Sequence, residues 1–119
     1  MNPFTTPDKI YISQHPQDMR AGIQTLAALV VADFGRDPVD GALYCFVSRD
    51  TQKMKMLRFD LGGWCMYYCR LAEGCFQWKH NPNAREPLLI IERRQLLWLL
   101  DGLSIEQKAF APVTANAIL

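Results

Sequence analysis

The sequence predicts an α+β protein: an antiparallel β-meander of about 4–5 strands packed against one long N-terminal helix, with a shorter C-terminal helix. Three observations carry this expectation. Residues 14–35 repeat apolar side chains at three- and four-residue spacing. Residues 42–78 break into short alternating or apolar runs separated by polar and glycine turns. Residues 92–101 return to helical spacing. A chain of 119 residues, 50% hydrophobic and 21% charged, suits a single domain over 1–119, with an ordered core of about 9–110.

Residues 1–8, rich in proline and threonine, predict a flexible lead-in. Lys9 to Ser13 alternates and is short, so it predicts a strand. The helix then spans QHPQDMRAGIQTLAALVVADFG. Pro16 suits its first position, and Asp18 the first turn, where the positive helix end favours a carboxylate. Met19, Ile23, Leu26, Val30 and Phe34 form one stripe that should cover a face of the sheet. Gly35 caps the end and Pro38 forbids continuation. Gly22, costing up to about 1 kcal/mol inside a helix, marks an expected close approach to the sheet.

The meander begins with a strand at Ala42–Ser48 and a second at Lys53–Asp60, joined by a turn at Arg49-Asp50-Thr51. Leu61-Gly62-Gly63 turns the chain into a third strand, Trp64–Leu71, and a short one follows at Cys75–Trp78. The third strand is apolar on both faces, as suits a covered strand or one awaiting a partner. On the second, strict alternation places Lys53 and Lys55 opposite Met54, Met56 and Arg58. A bulge near Met56 or Leu57 would gather all three cations on one face. Without it, Arg58 needs a polar partner or an edge. Beyond the loop at 80–86, Pro87–Ile91 predicts a strand. Glu92–Asp101 predicts a helix burying Leu96, Leu97 and Leu100 and capped by Gly102. Ser104 and Gln107 outline a capping box, and a loose tail is expected from about Ala111.

No apolar run is long enough to span a membrane, no basic-then-apolar signal opens the chain, and four cysteines accompany that pattern. These features predict a cytoplasmic protein with reduced thiols and no membrane partner. Cys65 and Cys69 are the only closely spaced cysteines, yet four strand residues separate them by about 13 Å, too far for one zinc ion. Cys45, Cys65, Cys69 and Cys75 therefore read as small apolar residues, and no metal or cofactor is expected. Nothing pairs His15 or His80 with a thiol. Asp60 and Glu73 are the carboxylates that a small metal-dependent nuclease would need, but turn chemistry explains both. No glycine loop for phosphates is present. The span Glu92–Phe110 has a helix-turn-helix outline, but its first helix is acidic at both ends.

Charge is local. From Arg49 to Arg70 lie five cations (Arg49, Lys53, Lys55, Arg58, Arg70) and two anions, a net +3, against +1 for the whole chain. Interleaved aromatics make this a candidate nucleic-acid surface, since cations pair with phosphates and rings stack on bases. A solvated sheet face, with Trp64, Tyr67 and Tyr68 in the core, fits the same residues.

The blocks IYIS, PQDMRAGIQTLAALV, DPVDGALYCFVSRDTQKMKMLRFDLGGWCMYYCRLAEGCFQW and LLDGLS occur in an order that resembles a known family. The chain is similar to the TnpB-type accessory protein encoded by the second open reading frame of the sixty-six family of bacterial insertion sequences. The resemblance runs from about Ile10 to Leu103; Ala21, Cys69 and Cys75 stand where polar or basic residues are common. It implies a non-catalytic factor for DNA transposition, working beside a separate transposase. Asp18 and Arg20 match the family's helix-start motif, and Arg49, Lys53, Lys55, Arg58 and Arg70 its basic positions. Arg20 joins those five as the expected DNA contacts, with transposon-end DNA and the transposase as expected partners. The alternative is a protein adaptor using Trp64, Tyr67, Tyr68 and Phe76.

Overall fold

The computed structural model describes residues 7–106. The expected lead-in through residue 6, the tail and the Gln107 half of the capping box lie outside the described residues. The elements are β1 (Ile10–Ser13), α1 (Ile23–Ala32), β2 (Leu43–Val47), β3 (Lys53–Asp60), β4 (Gly63–Arg70), β5 (Leu88–Ile91) and α2 (Arg93–Leu100). They build one five-stranded sheet in the order β4-β3-β2-β1-β5.

Two parts of the expected fold are corrected. The sheet is mixed, because β1 and β2 pair in parallel while the other pairings are antiparallel. A helix that crosses one face returns the chain to the end where it began, so strands on either side of α1 come out parallel. The first helix is also short, ten residues from Ile23. Its expected first turns are spent elsewhere. The Gln17 N–H donates to the Val47 carbonyl, the Ala21 N–H to the Asp18 carbonyl, and the Arg20 N–H to the Asp18 carboxylate. Gly22 is the extended residue before α1, and a Cβ there would meet nothing within 4 Å. It marks a helix start, not a close approach.

The apolar stripe survives this shortening. Leu26 and Val30 are buried against Tyr11, Tyr44, Phe46 and Leu57, with Met19, Ile23 and Phe34 packed around them. On the other face, α2 buries Leu96 and Leu99 against Ile10, Ile12 and Ile91, whereas Leu97 is 44% exposed and Leu100 only partly covered. Residues 75–78 form no strand. Phe76 and Trp78 instead plug this second core, and the Phe76 N–H is held by the Thr51 carbonyl at 2.6 Å.

The β3–β4 hairpin turns on Leu61 and Gly62, both at positive φ (57° and 77°). This two-residue geometry favours Asn-Gly, and leucine is strained there. Leu61 is 53% exposed and surrenders little packing. Leu61→Asn should therefore stabilise the protein by about 1 kcal/mol, seen as a raised denaturation midpoint.

Candidate nucleic-acid interface

The β3–β4 ladder runs without a break from Lys53↔Arg70 to Asp60↔Gly63, so no bulge shifts the cations. Leu57 and Met66 pack with α1 and Met54 and Met56 with the α2 side, which fixes the faces. Lys53, Lys55, Phe59, Trp64, Tyr68 and Arg70 share the α1 face; Arg58 lies on the other. There its side chain, 13% exposed, donates from Nε to the Gly41 carbonyl at 3.0 Å and approaches Asp60 at 3.6 Å. The structure therefore meets the irregular alternation with a polar partner for Arg58.

The core beneath α1 is built chiefly from β1, β2 and Leu57 of β3, so the outer part of this face stays open. Residues that shape it come from three places. Lys53 and Lys55 stand on β3, with Tyr68 and Arg70 facing them on β4. Arg49 sits in the β2–β3 turn, and the segment before α1 adds Arg20. Asp18, Met19, Arg20, Arg49, Asp50, Lys53 and Tyr68 line one shallow depression of about 560 Å³. Five of the six expected DNA contacts thus gather at one end of the sheet; Arg58 is excluded.

Three of these cations are held in place. Lys55 Nζ donates to the Ala21 carbonyl at 2.9 Å and lies 5.6 Å from the Tyr68 ring centre. Lys53 reaches Asp50 at 3.1 Å, and Arg20 grips both oxygens of Asp18. The Arg20 side chain bonded to Asp18 draws that carboxyl down to about 2. Asp50 is likewise lowered to about 2, first by the Ser48 hydroxyl, then by the Gln52 N–H and Lys53. With folded values below the usual 3.8, the stabilisation is complete above that pH and is lost as pH falls through about 2. Both carboxylates are charged at neutral pH, so the cluster carries five cations against two anions. The two acids were not among the expected site residues, although an aspartate two positions before Arg20 and another three before Lys53 are the sequence signal for them.

The four aromatics expected as a partner patch are not brought together. Trp64 and Tyr68 are 36% and 54% exposed on the open face. Tyr67 packs against the opposite core and Phe76 is 2% exposed. Trp64 sits edge-on to Phe59 at 5.0 Å and lines an apolar depression with Ile23, Gln24 and Ala27. Asp60 and Glu73 flank opposite ends of β4, whose seven residue steps span about 23 Å, so they share no ion. No cluster of metal-binding side chains occurs among the described residues. Cys45 is fully buried and its thiol pushed up by that burial, an apolar role. His80 Nε2 donates to the Val47 carbonyl at 3.2 Å, which requires the proton on that nitrogen.

A family model described as IS66 Orf2 like protein matches residues 8–110. The chain belongs to this family. It is accordingly an insertion-sequence accessory protein. It is also similar to an uncharacterized protein, y4hO, of Sinorhizobium fredii (strain NBRC 101917 / NGR234), 33% identical over 95 residues that cover 80% of each chain. No solved structure matches it. In this IS66 Orf2-like protein the Asp37-Pro38-Val39-Asp40-Gly41 block is structural. Asp37 accepts the Val39 N–H, and Asp40 accepts the Ala42 N–H, the Tyr44 hydroxyl and the Arg36 guanidinium. Burial foremost pushes the Tyr44 hydroxyl up to about 12. No helix among the described residues is long and apolar enough to cross a membrane.

Proposed function

We propose that this insertion-sequence accessory protein serves transposition without itself cutting DNA, by binding element DNA through the open face of β3 and β4. The carrying observation is the convergence of Arg20, Arg49, Lys53, Lys55 and Arg70 around the exposed Tyr68 ring. Cations on the part of a sheet face that its helix leaves open are placed for phosphates, and an exposed ring among them is placed for a base. The setting is the cytoplasm, with the transposase as the second partner on the assembled DNA.

Mobility shift with DNA from the element ends tests this. Binding should fall steeply with salt, with a log–log slope of about −3 to −4 for four phosphate contacts. Salt-indifferent binding, or none at low salt, would overturn it. Arg58 provides an internal contrast. Arg58→Ala removes the donor to the Gly41 carbonyl and should lower stability by about 1–3 kcal/mol while leaving DNA affinity unchanged. Co-purification with transposase in DNA-free conditions, with no DNA binding by the protein alone, would favour an adaptor.

A further inference from the structure

Resting on that DNA-binding reading, we infer that the open face takes unpaired, single-stranded DNA rather than the intact duplex. Neither helix presents cations beside β3 and β4. α1, IQTLAALVVA, has no charged residue. The β3–β4 ribbon carries Lys53, Lys55 and Arg70 on its α1 face, but Lys55 is tied back to the segment before α1 and the turn, Asp60-Leu61-Gly62-Gly63, has no cation to lead the ribbon into a groove. Arg93 and Arg94 open α2, which packs on the opposite face of the sheet from Lys53 and Lys55. A helix entering a major groove needs base-reading and phosphate-binding side chains on itself.

The cations lie instead on a pleated surface beside exposed rings. Tyr68 and Trp64 stand on the same face of β4, four residues and hence about 13 Å apart. Each borders its own depression. The one at Tyr68 is charged, lined by Arg20, Arg49 and Lys53 together with Asp18 and Asp50; the one at Trp64 is apolar, lined by Ile23, Gln24 and Ala27. Stacked bases follow one another at about 3.4 Å along a strand. Bases seated on both rings must therefore be unstacked and spread along the face, which a paired duplex does not permit. Lys55, fixed by the Ala21 carbonyl near the Tyr68 ring, and Arg70, two residues along the strand, flank that seat for the backbone phosphates. Three of the five cations are already engaged by Asp18, Asp50 or Ala21, so charge is moderated and stacking supplies a larger share.

Fluorescence anisotropy with one labelled oligonucleotide, offered single-stranded and as a blunt duplex, decides the point on the full chain. The single strand should bind at least about tenfold more tightly. Tyr68→Leu should weaken single-strand binding roughly five- to a hundredfold, the range of one lost base–ring stack, while Tyr68→Phe keeps it. Because Tyr68 is 54% exposed, both variants should fold, and circular dichroism verifies this. Equal or tighter duplex binding, untouched by Tyr68→Leu, overturns the single-strand inference and leaves the DNA-binding reading standing. Binding of neither form overturns both.

Discussion

Phe46→Ala should lower the unfolding free energy by about 3–5 kcal/mol, the largest effect of any single truncation considered. Phe46 lies on β2 with no exposed surface, flanked in the sheet by the parallel β1 and the antiparallel β3. Its ring meets Phe34 at 6.3 Å, so it joins the sheet to the chain leaving α1. Removing it deletes burial and leaves a cavity that a helix anchored by Leu26 and Val30 only partly closes. A domain of this size has about 5–15 kcal/mol in total, so the variant should sit near the edge of folding. Urea denaturation should show a lower midpoint with an unchanged slope. Val31→Ala, 56% exposed on the same helix, should move the midpoint little. A similar loss from both would mean that α1 does not pack as described.

The second large effect concerns binding. The double variant Lys53→Glu, Arg70→Glu should lose at least about a hundredfold in DNA affinity at moderate salt and flatten the salt slope by about 1.5–2 units. These two residues face each other across the β3–β4 ladder, so reversing both would turn a pair of proposed phosphate contacts into a repulsive pair. The cost to folding should be modest, because Arg70 is exposed and Lys53 pairs only with the half-exposed Asp50. Unaltered affinity in a folded double variant would remove the open face from the DNA contact.

Much of this fold was legible in the sequence, and the failures have specific causes. β1, β2, β3, β4, β5 and α2 fall within a residue or two of their expected bounds, because alternation and apolar runs report burial directly. The helix start was misplaced because Pro16 and Asp18 suit a helix's first turn and a polar turn equally well. Here Asp18 spends its carboxylate on Arg20. Parallel pairing of β1 and β2 left no mark in the periodicity, although the strand–helix–strand order was the available clue. At residues 75–78 the expected strand is absent, and Phe76, expected on a partner surface, is buried with Trp78 in the α2-side core, where two rings need no ladder to be held. For the candidate site, local charge pointed to β3 and β4, where the structure brings Lys53, Lys55 and Arg70 onto one face. Alternation along β3 already set Arg58 opposite the lysines; that no bulge overrides it is a property of the pairing with β4, which the strand alone does not encode.

The pairing of β5 with β1 sets an order on biosynthesis. Ser13 meets Leu88, a partner synthesised 75 positions later. β2, β3 and β4 close on neighbours in sequence and can assemble as soon as they leave the ribosome. β1 can dock on β2, but its other side has no strand until LLII emerges. During that interval IYIS offers a bare row of amide and carbonyl groups to any extended chain nearby. A nascent-chain holdase that covers β1 until residue 91 has appeared would act during the interval when a strand destined for the sheet interior is still an edge.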